Sequence, residues 1–345
     1  MPSPSTITYF WNFGSTLGIC LIVQVVRGLL LTFHYTSYAP ERFSSVSQIM
    51  HEVWSGWIIR LTHINGASVF FLFTYLHLWR GMYYIRARNK NLWIRGVTIL
   101  IMLIAISFLG YVLPWGQMSY WAVAVITNLF SVIPIVGENL VNWIWGGFSV
   151  GAPTLSRFYS LHFLLPFLLI AIAILHLALL HVNGSRNRIG IQSNMDKIYF
   201  HPYFTIKDLL FIIGALIGAF IVSYFLPYIL GDPVNNMPAN PIQTPVHIQP
   251  EWYFLTSYAI LRALPRKAAG VIALAISVAI FYLIPIFKLK FSTKFSFVRI
   301  TVFWSIVAYF IFLTVMGAMP AEEPFIQMAQ KGRFIYFTTL VALNI

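Results

Sequence analysis

The chain has 345 residues, of which 59% are hydrophobic and only 9% are charged. A water-soluble fold cannot hide that much apolar surface, so the composition excludes a soluble enzyme and implies a polytopic membrane protein. The formal net charge of +13 would suit nucleic acid, but the cations stand between apolar runs, which is a topology signal and argues against that partner.

The opening Met1-Pro2-Ser3-Pro4 has neither the charged start of a signal peptide nor an Arg-rich transit sequence, so the first apolar run reads as a retained span. About 20 apolar residues cross a bilayer as a helix. Span A is expected near 11–34, with Gly14, Gly28 and the single cysteine, Cys20, which reads as helix packing. One cysteine excludes a disulfide or a cysteine-held metal centre within the chain. Span B near 58–84 carries His63 and His77, span C near 95–114 carries Gly96 and Gly110, and span D near 156–181 carries His162 and His176. Spans E near 207–228, F near 268–287 and G near 300–318 follow. Span H, from about 333, has 13 residues after Gly332, too few to cross, so it is expected to be partial or cut short. The expected fold is all-α: a transmembrane bundle of about eight spans. A four-helix bundle A–D occupies 1–205, and a C-terminal region with helices E–H occupies 206–345.

Eight spans place the loops on two sides. The B–C loop (Arg80, Arg86, Arg88, Lys90, Arg95), the D–E loop (Arg186, Arg188, Lys197, Lys207) and the F–G loop (Lys288, Lys290, Lys294, Arg299) hold 13 cations against Asp196 and Asp208. The other side holds eight cations and seven acids. The cation-rich side is the negative, cytoplasm- or matrix-like side. Spans B and D then enter from the positive side, so His63 shares a depth with His162 and His77 shares one with His176. The long C–D loop (about 115–155) and the Pro-rich E–F loop (about 229–267) both fall on the positive side, and their length and aromatic content mark them as functional.

Each histidine pair is 14 residues apart, which in a helix is about 3.9 turns and a rise of about 21 Å. Both histidines of a pair face the same way, one near each membrane surface. Two such helices offer two His–His clamps, the donor set of two bis-histidine haems with no open iron position, suited to electron transfer and not to oxygen binding. Four intramembrane histidines at matched spacing and depth are hard to explain as packing. The glycine pairs Gly14/Gly28 and Gly96/Gly110 repeat the 14-residue interval and would let backbone approach a haem ring. Arg60 and Arg80 lie one turn beyond His63 and His77, toward opposite surfaces, and are candidate partners of haem propionates, with Trp93 assisting Arg80.

Several segments carry a specific resemblance: Trp11-Asn12-Phe13-Gly14, His63-Ile64-Asn65-Gly66-Ala67-Ser68, Gly110-Tyr111-Val112-Leu113-Pro114-Trp115-Gly116-Gln117, Trp143-Ile144-Trp145-Gly146-Gly147-Phe148, His201-Pro202-Tyr203 and Pro250-Glu251-Trp252-Tyr253. Over nearly its whole length the chain resembles cytochrome b, the di-haem membrane subunit of the respiratory quinol:cytochrome c oxidoreductase, complex III. The split-chain chloroplast relatives have a second histidine pair one residue wider, so the equal spacings here, with Pro250-Glu251-Trp252-Tyr253 following in the same chain, favour the respiratory type, and the short loops, by the same resemblance, favour the mitochondrial one.

The resemblance implies two b haems, ubiquinol and ubiquinone as substrates, and proton translocation across the mitochondrial inner membrane. Its implied partners are a Rieske iron–sulfur protein, a c-type cytochrome and further complex III subunits, within a dimeric complex. Glu251 would accept a quinol proton on the positive side, in a pocket lined by Tyr253, Tyr258 and a short helix near 117–128. A carboxylate among aromatic groups in a dry pocket gains a raised pKa suited to that task. On the negative side Asn12, Ser15, Gly18, His181, Ser185, Lys207 and Asp208 would form the quinone-reduction site, with Asp208 donating and Lys207 relaying a proton.

The family's Trp-Gly-Ala-Thr is here Trp121-Ala122-Val123-Ala124, and alanine at the glycine position is associated in that family with resistance to strobilurin-type inhibitors. Arg27, inside span A beside Gly28, is an unexpected charge that either turns from the ring or snorkels. Two rival readings differ in features the sequence can show. Another bis-haem membrane anchor of a quinone-linked dehydrogenase would have the haem ligands without the Glu251 motif. A histidine-using metal transporter would bring its ligands together at the midplane on broken helices.

Overall fold

Apolar runs of this length cannot leave backbone groups unpaired in hydrocarbon, so each closes its hydrogen bonds within itself as a helix. The computed structural model describes residues 2–38, 41–84, 89–188, 193–286 and 296–343. A short strand β1 (Pro2–Pro4) comes first and later pairs antiparallel with β2 (Lys197–Tyr199). The first half then contains α1 (Phe13–Thr32), α2 (Arg42–His51), α3 (Gly56–Tyr83), α4 (Lys90–Val112), α5 (Gln117–Asn128), α6 (Gly137–Trp145) and α7 (Ala152–Asn183). The second half contains α8 (Tyr203–Phe225), α9 (Leu255–Arg262), α10 (Lys267–Ala279), α11 (Phe297–Ala318) and α12 (Phe325–Ala342). The segments expected as spans A to D fall on α1, α3, α4 and α7, and those expected as E to H fall on α8, α10, α11 and α12. Among the basic-side residues, Arg86, Arg88, Lys288, Lys290 and Lys294 lie outside the described residues.

Two helix pairs organise the first half. α1 packs along α3, and α4 packs along α7. α8 lies against α3 and α1, α9 and α12 pack on α11, and α10 packs on α9. Between helices in a bilayer, small residues and close van der Waals fit take over from hydrophobic burial. Gly317 and Gly332 illustrate this: a Cβ on Gly332 would lie 2.7 Å from Phe312 Cε1, and one on Gly317 would run into the Leu255 carbonyl.

The C-terminal helices differ from expectation in two places. The last helix begins at Phe325, after Pro324, and runs 18 residues. Gly332 lies in its interior as a packing site against α11; read as a helix start, it shortened the expected span. Span F was expected to reach 287, but α10 ends at Ala279, and two 3-10 turns, Ile280–Tyr282 and Ile284–Ile286, carry the chain onward. Pro285 has no N–H to continue an α-helix there.

Among the described residues, five helical segments are long and apolar enough to cross a membrane: Tyr9–Thr32, Lys90–Val112, Ala152–Val182, Tyr203–Phe225 and Phe297–Ala318. α3 has ample length, 28 residues, but includes Arg60, His63, Asn65, His77 and Arg80. Polar residues at membrane depth carry a free-energy cost that function must justify.

The two long loops dock on each other. Gln117 N–H donates to Met237 O at 2.9 Å, and Gln117 Nε2 donates to Gln243 O at 3.0 Å. Asn240 N–H donates to Gln117 Oε1 at 2.8 Å, and Ser119 N–H donates to Asn235 Oδ1 at 2.8 Å. Loops that bond in this way share one end of the bundle, as their assignment to one membrane side requires.

Candidate functional site

The 14-residue intervals translate into four direct appositions. A Cβ built on Gly14 would lie 3.5 Å from His77 Cε1, on Gly28 3.2 Å from His63 Cε1, and on Gly96 3.3 Å from His176 Cε1. On Gly110 it would collide with the His162 ring. The α1–α3 pair thus carries two glycine–imidazole contacts, and the α4–α7 pair carries the other two. The glycines make room for the imidazoles first, a closer role than the expected one of admitting a macrocycle.

The rings of His63 and His162 face each other with centroids 6.3 Å apart and planes at 89°. Two metal–imidazole bonds of about 2 Å, with half a ring at either end, add up to roughly this separation. His162 Nδ1–H donates to Ile106 O at 2.8 Å. A carbonyl can only accept, so Nδ1 carries the proton and Nε2 keeps a free lone pair. His77 lies within electrostatic reach of His176 and Arg80. Nδ1 of His77 is buried without a hydrogen-bond partner, while the rings of His63 and His176 lie against the backbone of Gln24 and Leu92.

A cavity of about 270 Å³ contains His63, His162, Gly28, Gly110 and Arg60, and continues to Asp232, Glu251 and Tyr253. One space therefore joins the first histidine pair to the carboxylate of the Pro250-Glu251-Trp252-Tyr253 motif. Burial, with a smaller contribution from the Asp232 charge, raises the Glu251 carboxyl to about 7. The motif is fixed on α3. The Tyr253 ring stacks on Phe71 at 4.1 Å, Tyr75 Oη–H donates to Tyr253 O at 2.6 Å, and Trp252 Nε1–H donates to Ser68 Oγ at 3.1 Å. Such aromatic stacks contribute about 0.5–1.5 kcal/mol beyond their area. Tyr258 points elsewhere, donating to Ile248 O at 3.0 Å beneath the Arg262 guanidinium. α5 forms over 117–128 as expected, but none of its residues is among those lining the cavity. Tyr111, Asp232 and Asn235 line it unannounced, since no spacing in the sequence marks them.

A second polar cluster forms where α1 meets α8. Asn12 Nδ2 donates to Lys207 O at 3.2 Å, Ser15 Oγ to Asn12 O at 2.9 Å, and Lys207 Nζ to Ile7 O at 2.8 Å. Asp208 faces Ser15 and Lys207. Asn12 Oδ1 is buried without a partner, and the Cβ direction of Gly18 is open. Among the described residues no hydrogen bond joins His181 or Ser185 to this cluster, and His181 is exposed. Arg80 donates to Phe10 O at 3.1 Å and lies over the Trp11 ring. Trp93 corrects an expectation: its indole N–H is committed to Phe281 O at 2.7 Å and its ring packs on Gly81, so that N–H is not available to a propionate.

Residues 1–184 match the family model described as Cytochrome b/b6/petB. The chain belongs to the cytochrome b/b6 family. Residues 238–337 match a second model, Cytochrome b(C-terminal)/b6/petD. Among solved structures the chain is similar to one from a "Hyperthermophilic respiratory Complex III", with 30% identity and a TM-score of 0.94, covering 99% of this chain and 92% of that one. A cytochrome b/b6 chain implies b-type haem, and the residues present fit that group. Two imidazoles stand at bis-ligand separation, one has its Nδ1 proton pinned away from the pair, and the intervening cavity is largely apolar with Arg60 beside it. Among the described residues no group of three or more His, Cys, Asp or Glu side chains could hold a bare metal ion. A facing imidazole pair instead suits iron whose other four ligands come from a porphyrin.

Proposed function

We propose that this cytochrome b/b6 chain is the core subunit of a ubiquinol–cytochrome c reductase, complex III. It oxidises quinol on the positive side and reduces quinone on the negative side, with proton translocation. The cavity joining the His63/His162 pair to Glu251 carries this reading. When bound, two b haems, held by His63/His162 and by His77/His176, supply one-electron transfer across the membrane.

The chain's own residues do the rest. Glu251, dry and raised to about 7, takes a proton from the quinol hydroxyl, since a base whose pKa lies near ambient pH is the most effective. Tyr253 and Phe71 wall the pocket and exclude water. Arg60 and Arg80 offer guanidinium groups to haem carboxylates at opposite surfaces. On the negative side Asn12, Ser15 and Gly18 border the quinone, Asp208 donates a proton to it, Lys207 relays one, and His181 and Ser185 approach from the end of α7. We place all eight spans, α3, α10 and α12 included, across the bilayer.

The two family models fall on either side of residue 205, which supports an N-terminal di-haem region followed by a C-terminal region. Both matching within one chain supports the respiratory type over split-chain relatives. The mitochondrial inner membrane is proposed from the short loops, not from the hyperthermophilic neighbour. That neighbour's complex supports association with further subunits, which we take to include a Rieske iron–sulfur protein and a c-type cytochrome in a dimeric complex. A redox-titrated visible spectrum of the purified complex tests the proposal: two b-type α-bands with distinct midpoint potentials are expected, and absence of haem would overturn it.

A further inference from the structure

One cation has no place in the reading above. Arg27 is half-buried inside α1, next to Gly28. It neither leaves its helix for the surface nor pairs with a carboxylate. Its Nη1 donates to Thr62 O at 3.1 Å, and one turn earlier Gln24 Nε2 donates to His63 O at 2.9 Å. Next to Arg27, Gly28 brings α1 against the His63 ring. Three residues of α1 thus grip α3 at His63 and the residue before it. The groove that holds Arg27 is lined by Cys20, Gln24, Gly66, Val69 and, from α8, Ala215 and Ala219, with no acidic side chain among its lining residues.

Gln24 shows that a neutral amide suffices to bond an α3 carbonyl. The charge on Arg27 is the additional feature, and a charge at membrane depth marks function. We propose that Arg27 is a positioning residue for the His63/His162 haem, whose fixed positive charge raises the midpoint potential of that haem selectively. The inference rests on the reading that this histidine pair binds haem. Adding one electron lowers the charge of the site by one, so a nearby uncompensated cation favours the reduced form. Two unit charges about 10 Å apart at an effective dielectric constant near 20 shift an equilibrium roughly tenfold, which for one electron is about 59 mV. The His77/His176 site lies about 21 Å further along the helices and feels the charge much less.

The test is a redox titration of both α-bands in the purified complex, comparing Arg27→Gln and Arg27→Lys with the parent chain. The His63/His162 band is identified as the one lost in Gly110→Ala. Arg27→Gln should lower the potential of that band by about 59 mV, a tenfold change for one electron, and leave the other band in place. Arg27→Lys should keep both near their parent values. Should Arg27→Gln fail to hold haem, Arg27→Thr reads the same shift. An unmoved potential, an equal shift of both bands, or a Lys variant that falls as far as the Gln variant would overturn the inference. Absence of haem from the parent chain would instead count against the site reading itself.

Discussion

At one end of the bundle the His63/His162 cavity opens onto two carboxylates, Glu251 and Asp232. At the other end Asn12, Ser15, Lys207 and Asp208 gather where α1 meets α8, bonded to one another and to backbone. The same glycine–imidazole device serves both depths, so the two ends differ in proton chemistry and not in how a ring is clamped. On the proposed function, the buried Glu251 carboxyl, raised toward neutrality, accepts a proton. On the same proposal, Asp208 delivers a proton to quinone and the neighbouring Lys207 ammonium replaces it. On the proposed function this contrast gives the molecule a direction.

The largest expected effect tests the shared device. Gly110→Ala drives a methyl into the His162 ring, whereas Gly14→Ala meets His77 at an ordinary 3.5 Å contact. Gly110→Ala should lose one of the two b-type α-bands and Gly14→Ala should keep both, with Gly28→Ala and Gly96→Ala intermediate. Pyridine haemochrome content and reduced-minus-oxidised spectra read this directly. Equal loss in Gly14→Ala and Gly110→Ala would show that the appositions do not set haem retention.

Glu251→Gln separates the accepting end from the delivering end. Losing a general base costs about 10²–10⁴-fold, so quinol oxidation should slow by at least about a hundredfold with both haems retained. The acceptor is the carboxylate form, and the folded carboxyl sits at about 7. Quinol oxidation in the parent chain should therefore rise with pH through about 7 and level off above it, and Glu251→Gln should flatten that limb. Loss of haem in the variant would assign Glu251 a structural role.

Asp208→Asn should do the converse by a smaller margin, about tenfold, since Lys207 and bound water can still relay protons. Haem reduction from the quinol side should proceed at its normal rate while reoxidation by quinone slows. If both half-reactions slow together in pre-steady-state traces, the α1–α8 cluster is not specific to the negative side.

Much of this is legible in the sequence, because a 14-residue interval in an apolar helix leaves four histidines few arrangements. The matched histidine depths and the placing of both long loops on one side followed from spacing and loop charge, whereas the α1–α3 and α4–α7 pairs and the bonds between the loops did not. What escaped notice were properties of neighbours distant in sequence. Gly332 looks like a helix boundary until Phe312 is placed against it. Trp93 looks available to a propionate until Phe281 O takes its N–H. Asp232, Tyr111 and Asn235 carry no spacing signal, yet they line the Glu251 cavity. Arg27 was anomalous in sequence and acquires a partner, Thr62 O, only when α1 lies on α3.

The smallest expected effect concerns Ala122, on the wall that the resemblance assigns to the quinol pocket. Ala122 is buried on α5, at 8% exposure, so an added methyl there has little room to move away from an inhibitor pressed against it. Overpacking by one methyl costs about 1–3 kcal/mol, and the parent complex is expected to bind strobilurin-type inhibitors weakly. Ala122→Gly should tighten that binding by about tenfold or more while leaving quinol turnover and both α-bands near parent values. Inhibitor titration of steady-state quinol oxidation reads the change. Full sensitivity in the parent chain would remove α5 from the accepting pocket, which agrees with a cavity bounded without it, and would leave Glu251, Tyr253 and Asp232 as the groups that distinguish this end of the molecule from the other.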